Sequence, residues 1–309
     1  MNFRREILSK IMRLSDDDRK GRVGAAARGG ANRKAGQGME KRALLGRGRT
    51  AEVYEWGDDR ALKLFHADIK PAWILAEAEI GAAVSEAGAP APRVFGVIDL
   101  CGRKGIEYER VDGSSMLKWL EKKPWRVIEY ARAMARLHYA VHCAHTKRLP
   151  AQRDKLSQSI AGTGSLTREE KDGVFRYLER LPTGMSLCHG DFHPDNILLS
   201  NQGMIAVDWT NAASGNALGD VARTCLMLES PYLPPGASPV LVLLGKALRR
   251  LLCRAYRIEY EMVASVTAAD IVAWMVPMAA ARLGEELPGE EIWLRNLVTS
   301  GLRRMAGKD

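Results

Sequence analysis

A short polar segment in the second half of the chain combines two carboxylates and one amide with apolar surroundings. Asp191 is followed five residues later by Asn196, and Asp208 stands at the end of the next apolar run. Phosphoryl transfer uses such a set, because one acid orients the attacking hydroxyl while oxygen ligands hold the Mg²⁺ ions that bridge nucleotide phosphates. The spacing His-x-Asp-x-x-x-x-Asn is also that of kinase catalytic loops. The alternative is a polar loop between two buried strands that performs no chemistry.

The apolar residues around this segment indicate how it is positioned. Residues 197–199 and 204–207 flank the turn-forming sequence Asn-Gln-Gly, which predicts two short strands joined by a hairpin. Such a hairpin would bring Asn196 and Asp208 to the same end of the two strands.

A glycine-rich segment upstream is a candidate phosphate-binding loop. Gly46, Gly48 and Val53 form the pattern Gly-x-Gly-x-x-Ala-x-Val, with Ala51 where a third glycine would complete it. Glycines let backbone N–H groups approach phosphate oxygens closely, although many such loops are only turns. Ten residues after Val53, Lys63 lies in the alternating run Arg-Ala-Leu-Lys-Leu-Phe. This run predicts a strand, with Lys63 as the candidate partner of the nucleotide phosphates.

A helix is predicted for residues 71–88, where apolar residues recur on one stripe. Glu77 lies on or beside that stripe, and Glu79 is turned away from it. A carboxylate at the buried edge of a helix is costly unless it is paired, and Lys63 is the natural partner of Glu77. The alternative, a solvated glutamate on an Ala/Glu-rich helix, fits Glu79 better. Two strands are predicted to follow, at residues 94–100 and 105–111.

These motifs occur together in one known group of proteins. Residues 42–230 resemble the aminoglycoside phosphotransferases and choline-kinase-like small-molecule kinases, most specifically in the loop Cys-His-Gly-Asp-Phe-His-Pro-Asp-Asn around Asp191. The resemblance implies an α+β, two-lobed protein-kinase-like fold, with an antiparallel N-lobe sheet carrying one helix and a mostly helical C-lobe. We therefore expect a nucleotide-binding N-lobe at 39–111 and a C-lobe with the catalytic loop and substrate-binding helices at 112–309.

The resemblance also implies roles for the residues of the catalytic loop. Asp191 would be the catalytic base, and Asn196 and Asp208 would bind Mg²⁺. His138, at the end of an Ala-Arg-Leu-His sequence, and Asp220, in Gly-Asp-Val-Ala-Arg, would brace the loop as structural residues.

For the nucleotide, the resemblance implies binding through the first lobe. Lys63 would hold the phosphates with Glu77 behind it. The backbone of Glu109 and Val111 would hydrogen-bond adenine. The glycine-rich loop would contribute the remaining nucleotide-binding residues, Gly46, Gly48 and Val53.

Departures from protein kinases indicate the class of acceptor. Asp220 comes only twelve positions after Asp208, and no Ala-Pro-Glu sequence follows, so there is no room for a long activation loop. Gly190 stands where protein kinases carry the arginine that binds such a loop's phosphate. A small hydroxyl-bearing acceptor is therefore expected rather than a protein.

The predicted activity is transfer of the γ-phosphoryl group of ATP, with GTP as the alternative donor, to a hydroxyl of a small molecule. An aminoglycoside-like compound, a sugar and an amino alcohol are the candidate acceptors. A catalytically silent nucleotide-binding regulatory module on the same fold is one alternative, and a protein kinase is another. The intact set of Lys63, Asp191, Asn196 and Asp208 argues against the silent module.

Composition is consistent with a globular enzyme. The chain has 309 residues, 46% of them hydrophobic, and no apolar run approaches the roughly 18 residues of a membrane helix. Its five cysteines lie at no metal-ligand spacing, which is typical of buried thiols in a reducing cytoplasm. We expect a cytoplasmic monomer or homodimer that binds neither membranes nor specific nucleic acids.

The first 38 residues differ in kind from the rest. They carry ten Lys or Arg and four Asp or Glu, a net charge of +6 within the chain's +9, and residues 21–38 lack apolar periodicity. This composition predicts a disordered, solvated basic tail. Binding to nucleic acid or membrane is the alternative, as is translation from an upstream start codon, since Met39 directly precedes the first element that resembles a kinase.

The last third of the chain should select the acceptor. Helices are predicted at 239–260, 267–283 and 290–305. A polycationic acceptor would need clustered carboxylates, and a quaternary ammonium would need an aromatic cage. The candidate acids are Glu285, Glu286, Glu290 and Glu291, and the candidate aromatics are Tyr256, Tyr260, Trp274 and Trp293. Ordinary surface acids and core aromatics are the alternative for both sets.

Overall fold

The computed structural model describes residues 42–231 and 239–306. The predicted basic tail at 1–38 therefore lies outside the described residues. The chain forms two compact units: the described part of Met1–Ser114 together with Leu198–Thr210, and Ser115–Ile197 together with the chain from Asn211 onward.

The first unit is built on a five-stranded antiparallel sheet with the strand order β1-β2-β3-β5-β4 and one helix, α1. Its elements are β1 (Leu44–Arg47), β2 (Ala51–Glu55), β3 (Arg60–Phe65), α1 (Pro71–Glu86), β4 (Val94–Leu100) and β5 (Arg103–Glu109). The predicted strand of Lys63 is confirmed as β3, and the predicted helix is confirmed but ends at Glu86.

Alternation along β3 divides the core of this unit into two sides. Leu62 and Leu64 point to one face, where they pack with Leu100. The opposite face buries Phe65 against Ile74 of α1 and other apolar residues. Because successive side chains of a strand point to opposite faces, Lys63 points to the face that α1 covers.

The predicted hairpin after the catalytic loop is confirmed. Strands β8 (Ile197–Ser200) and β9 (Gly203–Ala206) form a three-stranded sheet with β6 (Gly113–Ser115), in the order β6-β8-β9. The Ala206 backbone N–H donates to the Pro90 carbonyl at 2.8 Å, which ties β9 to the segment that follows α1.

The second unit is mostly helical. Its only strands within the described residues, apart from the ends of β6 and β8, are β7 (Ser186–Cys188) and β10 (Ala213–Gly215), which pair antiparallel. Its helices are α2 (Met116–Lys122), α3 (Val127–His142), α4 (Gln152–Gly162), α5 (Arg168–Glu179), α6 (Ala217–Glu229), α7 (Pro239–Ala264), α8 (Ala268–Val272), α9 (Met275–Arg282) and α10 (Glu291–Ala306).

The prediction of a single helix at 267–283 is wrong in one respect, because the structure has two helices there, α8 and α9. Thr267 and Asp270 form a reciprocal capping box that starts α8. Pro277 in the first turn of α9 has no N–H to donate to the preceding turn, which explains why the helix breaks at Ala273 and Trp274.

The predicted α+β fold class is confirmed by the antiparallel sheet and the helical second unit. Among the described residues no single helix is long and apolar enough to cross a membrane; one pair, Gly245–Ala264 with Ala268–Glu285, meets that criterion only jointly and across a 114° bend. The expectation of buried thiols holds for Cys188, Cys225 and Cys253, whereas Cys101 is exposed.

Candidate active site

Lys63 lies at the centre of a charged cluster in the first unit. It pairs with Val53 on β2 and with Ile106 on β5. Its Nζ lies 2.7 Å from Oε1 of Glu77 on α1 and 3.6 Å from Oδ1 of Asp208. The predicted pairing of Lys63 with Glu77 is therefore present, and the structure adds Asp208 to the same cation.

The cluster keeps Lys63 charged. Burial opposes the charged form, but the negative charges of Asp208 and Glu77 outweigh it and raise the pKa of Lys63. The Tyr108 hydroxyl also donates to Oε1 of Glu77 at 3.3 Å, and burial beside that carboxylate raises the pKa of Tyr108 well above its ordinary value. Lys63 is thus a fixed positive charge at neutral pH.

The glycine-rich segment forms the hairpin between β1 and β2. Gly46 pairs with Val53, and the Gly48 N–H donates to the Ala51 carbonyl at 2.9 Å. Neither glycine has a positive φ. A Cβ built on Gly46 meets no atom within 4 Å, and one built on Gly48 meets only the Ala51 carbonyl oxygen, at 3.4 Å. The protein's own packing therefore does not require these glycines, whereas a ligand that approaches the backbone would.

The backbone proposed to contact adenine follows the last strand of the sheet. The predicted strand 105–111 is observed as β5, so Val111 lies beyond it. The Glu109 N–H donates to the Arg93 carbonyl at 2.8 Å, whereas the Val111 N–H makes no hydrogen bond within the described residues. Val111 therefore retains a backbone donor for a ligand.

Asp208 occupies a strained backbone position just after β9. Its φ is +63°, in the left-handed region that few residues other than glycine adopt, although aspartate tolerates it better than most. The Thr210 hydroxyl donates to its Oδ1 at 2.8 Å, and 47% of its side chain is exposed. The carboxylate is held in place and still accessible.

In the second unit, Asp191 lies in a tightly turned loop after β7. Gly190 has φ +77°, and a Cβ there would lie 2.4 Å from the Asn211 carbonyl oxygen, so only glycine fits before Asp191. Nδ2 of Asn196 donates to the Asp191 carbonyl at 2.9 Å and to its Oδ2 at 3.2 Å. The amide nitrogen of Asn196 is thus engaged, which leaves its side-chain oxygen as the available ligand atom.

His193 and Arg223 place hydrogen-bond donors beside Asp191, and Arg223 brings a positive charge. Nε2 of His193 lies 3.6 Å from Oδ2 of Asp191, and Nε of Arg223 donates to the Gly190 carbonyl. Burial of Asp191 opposes ionisation, but His193, Arg223 and His189 outweigh it and lower the pKa of Asp191. Asp191 is therefore ionised at neutral pH.

A buried polar network supports this loop from below. Asp220 is 1% exposed and accepts hydrogen bonds from the backbone N–H groups of His189 and Gly190. It also lies 3.1 Å from Nε2 of His138 and 3.3 Å from Nε2 of His142. Despite burial, these partners hold the pKa of Asp220 well below its ordinary range. Asp220 and His138 thus make the contacts expected of residues that brace the loop.

Two tyrosines complete the network. The Tyr256 hydroxyl lies 2.6 Å from Nδ1 of His138, and the Tyr260 hydroxyl lies 2.7 Å from Nδ1 of His142. Burial lowers the pKa of His138 to about 3, with further lowering from His142. A neutral His138 donates from Nε2 to Asp220 and accepts the tyrosine hydroxyl at Nδ1.

This network predicts acid sensitivity. An unfolded histidine has a pKa near 6.5, so between about pH 6.5 and 3 the unfolded chain binds a proton that folded His138 does not, and stability falls as the pH falls. Because Gln keeps a donor and an acceptor at this position, we expect His138→Gln to reduce the loss of unfolding free energy between pH 6.5 and 5 by about 2 kcal/mol. Urea unfolding at several pH values measures it.

The control is His145→Gln, which changes an exposed histidine in the same unit. Its pH dependence should match that of the unchanged protein. An identical slope in His138→Gln and the unchanged protein would contradict a neutral, buried His138.

The candidate acids for acceptor binding are mostly engaged or separate. Glu290 is 1% exposed and forms a two-point ion pair with Arg282, at 2.7 and 2.9 Å. Glu285 lies 2.7 Å from Arg223 and 3.1 Å from Arg282. Glu286 and Glu291 are exposed. Glu285 and Glu290 are therefore neutralised by the protein's own arginines.

The candidate aromatic cage is absent among the described residues. Trp274 is 1% exposed, and Tyr256 and Tyr260 are 0% and 1% exposed, with both hydroxyls bound to histidines. Trp293 is partly buried. Three of the four aromatics belong to the core, so they present no open cage for a quaternary ammonium.

The structure therefore assembles the predicted residues in two groups, one in each unit. Lys63, Glu77 and Asp208 meet in the first unit, and Asp191 meets Asn196 in the second. The contribution of His193 was not predicted, although its place in the His-Pro-Asp-Asn part of the loop was a signal. The contact of His142 was not predicted either, although His142 follows His138 by one helical turn.

Comparison with solved structures finds the same fold in aminoglycoside phosphotransferases. An aminoglycoside-3′-phosphotransferase of type VIII is 19% identical, over 80% of this chain and 93% of that chain, with a TM-score of 0.51. The gentamicin complex of APH(2″)-IIa is 12% identical, over 86% and 90% of the chains, with a TM-score of 0.51. The streptomycin–ATP complex of APH(2″)-IIa is 10% identical, over 84% and 90%, with a TM-score of 0.50.

At these identities the likeness concerns the fold, and it defines the class as protein-kinase-like. The sequence gives the family itself: the model of the phosphotransferase enzyme family matches residues 42–251, and the chain belongs to that family. The predicted resemblance is thereby confirmed. No curated protein sequence matches this chain.

Proposed function

We propose that this protein transfers the γ-phosphoryl group of ATP to a hydroxyl group of a small molecule. The observation that carries the proposal is the cluster of Lys63 with Glu77 and Asp208, at 2.7 and 3.6 Å. A charged lysine fixed between two acids suits the binding of polyphosphate beside a metal, and a purely structural lysine would not need a half-exposed second acid. Membership of the phosphotransferase family supports the same activity.

Three features of the first unit support a nucleotide as the donor. The open space beside Gly46 and Gly48 admits a ligand close to the backbone, and Val111 retains a free N–H. Lys63 supplies the charge that phosphates require. The structure of APH(2″)-IIa with streptomycin and ATP supports the choice of ATP, and GTP is the alternative. We infer that adenine forms hydrogen bonds with the backbone of Glu109 and Val111 and that Val53 packs against the base.

Asn196 and Asp208 would hold Mg²⁺. The donor set fits this ion, because both residues offer hard oxygen atoms, the Asp208 carboxylate is half-exposed, and the amide nitrogen of Asn196 is turned to Asp191. Bound Mg²⁺ neutralises the charge of the phosphate oxygens. Lys63 adds a permanent positive charge to the same task.

Asp191 would act on the acceptor. Its ionised carboxylate accepts a hydrogen bond from the acceptor hydroxyl and orients the oxygen toward the γ-phosphorus. The oxygen–phosphorus bond forms as the bond between the γ-phosphorus and the bridging oxygen breaks, Asp191 takes the hydroxyl proton, and ADP leaves. Asn196 and His193 keep the carboxylate in position.

A small molecule is the preferred acceptor. The eleven residues between Asp208 and Asp220 include a short strand and a helix start, which leaves no segment to bind a protein substrate in the way that an activation loop does. We further propose that the enzyme works in the cytoplasm, where ATP is abundant.

Thermal unfolding with nucleotides tests the donor half of this proposal. ATP with Mg²⁺ should raise the Tm of the protein more than either component alone. When a set of hydroxyl compounds is then added, the enzyme should release ADP in the presence of those that act as acceptors. A Tm that Mg²⁺ and ATP leave unchanged would contradict nucleotide binding. Strong binding without ADP release from any hydroxyl compound would instead favour a catalytically silent nucleotide-binding module.

A further inference from the structure

Lys155 is a cation beside the catalytic loop whose charge the protein leaves unpaired. It lies on α4, half-buried, and its Nζ donates to the Asn211 carbonyl at 2.8 Å and contacts the Ala212 carbonyl at 3.5 Å. Within the part of the chain that the structure describes, Lys155 forms no ion pair with a carboxylate. An ammonium group has three N–H donors, so two carbonyls leave one donor and the full charge available.

Lys155 is connected to the residue before Asp191 through one carbonyl group, that of Asn211. The Asn211 carbonyl that it binds lies against Gly190, because a Cβ on Gly190 would be 2.4 Å from that oxygen. Asp191 follows Gly190 directly. Arg223, which lies on α6, donates to the carbonyl of Gly190 in the catalytic loop. Lys155 and Arg223 therefore approach the residue before the catalytic aspartate from two different elements, α4 and α6.

The two cations are close enough to influence each other. The pKa of Lys155 is lowered, first by burial and second by the positive charge of Arg223, while the negative charge of Asp220 opposes this lowering. Proteins rarely gather like charges in a partly buried place without a counter-charge, because each raises the cost of the other. Within the described residues Arg223 forms an ion pair with Glu285, at 2.7 Å, whereas Lys155 forms none.

Glu285 and Glu290 are both engaged by the protein's own groups and do not offer a free site for a cationic acceptor. Glu285 is shared between Arg223 and Arg282, and Glu290 is buried against Arg282 and the Ser230 hydroxyl. An incoming ammonium group would have to displace these arginines. An incoming anion would meet Lys155 without displacing any ion pair.

We propose that the acceptor of this enzyme carries an oxyanion, either a carboxylate or a phosphate, and that Lys155 binds it while the acceptor hydroxyl faces Asp191. The inference rests on the proposed phosphotransferase function and narrows it to anionic hydroxyl compounds. Lys155 is then a residue that determines specificity.

Four probes with the same three-carbon diol frame test the charge preference directly: glycerol, glycerate, glycerol 3-phosphate and 3-aminopropane-1,2-diol. Each is added to the full chain with ATP and Mg²⁺, and both the Tm and the rate of ADP release are measured. We expect glycerate or glycerol 3-phosphate to be used or bound at least about tenfold better than glycerol, and the amine to be used or bound worst. Glycerol and the amine both lack the oxyanion that would form a charge-assisted hydrogen bond with Lys155. The two anions separate a carboxylate site from a phosphate site.

Substitutions assign the preference to Lys155. Lys155→Gln keeps an N–H donor for the Asn211 carbonyl but removes the charge. This variant should therefore use or bind the anionic probes no better than glycerol. Lys155→Arg should retain it. The matched control is Lys171→Gln, because Lys171 on α5 also donates to a backbone carbonyl, that of Ala161 at 2.8 Å, but lies outside the catalytic loop; it should keep the anion preference.

The proposal is overturned if the amine is preferred, if neither anion exceeds glycerol, or if Lys155→Gln and Lys171→Gln respond alike. Stabilisation by ATP with Mg²⁺, recorded in the same experiment without any acceptor probe, reports on the proposed function separately. If that stabilisation persists while the anion preference is absent, the acceptor proposal alone fails. If it is absent from the unchanged protein, the phosphotransferase proposal fails as well.

Discussion

Replacement of Asp191 by asparagine is expected to lower kcat by roughly 10²- to 10⁴-fold while leaving nucleotide binding almost unchanged. The amide cannot take the hydroxyl proton, but it has the size of the carboxylate and still offers an oxygen to Nδ2 of Asn196. The measurement is the rate of ADP release at saturating ATP, together with the Kd for ATP and Mg²⁺ from thermal or calorimetric titration.

The matched control for this change is Asp195→Asn. Asp195 lies four residues further along the same loop and is exposed, so its replacement removes the same charge close to the site without touching the proposed base. We expect its kcat to stay within about twofold of that of the unchanged enzyme. Near-normal turnover by Asp191→Asn would contradict the assignment of the base.

Replacement of Asp208 by asparagine is expected to remove the Mg²⁺-dependent part of nucleotide binding. Asparagine is chosen because it tolerates the positive φ of this position, +63°, better than alanine does. We expect the apparent Kd for ATP with Mg²⁺ to rise at least about tenfold, which corresponds to about 1.4 kcal/mol. Comparing the Tm with ATP alone and with ATP plus Mg²⁺ isolates the metal-dependent term.

Asp99→Asn is the matched control in the same unit. Asp99 is also ion-paired with a lysine, Lys104 at 2.9 Å, but it is an exposed residue of the edge strand β4. Its replacement should leave the response to Mg²⁺ intact. A Mg²⁺ response in Asp208→Asn equal to that of Asp99→Asn would contradict the metal assignment.

The first unit illustrates what sequence predicts well. The pairing of Lys63 with Glu77 was predicted because each residue belongs to an element with a clear period, an alternating strand and a helix with one buried stripe. The hairpin before Asp208 was predicted because a turn sequence separates two apolar runs. Local patterns therefore identified both the elements and the faces that carry the charges.

Contacts between distant segments were not predictable in the same way. Tyr256 and Tyr260 were candidates for an aromatic cage, yet their spacing of one helical turn matches that of His138 and His142, and the four side chains meet in the core. A helical period says which residues share a face, not what that face covers. The partners lie more than one hundred residues apart.

The same limit explains the acceptor site. Glu285 was considered as a free carboxylate, but Arg223 neutralises it from a position 62 residues earlier. No role was predicted for Lys155 because no motif surrounds it. Its place beside the catalytic loop follows from a tertiary contact, since the Asn211 carbonyl that it binds lies against Gly190. Charge balance at a site depends on tertiary contacts, which local sequence patterns do not contain.

Transfer of label from [γ-³²P]ATP tests the central claim most directly. The full chain is incubated with labelled ATP, Mg²⁺ and the low-molecular-mass fraction of a cell extract, with Asp191→Asn in parallel. The proposal predicts that label enters a small organic phosphate in a reaction that needs the extract and that Asp191→Asn does not perform. Label found only in ATP and inorganic phosphate, or only on protein, would contradict a small-molecule phosphotransferase.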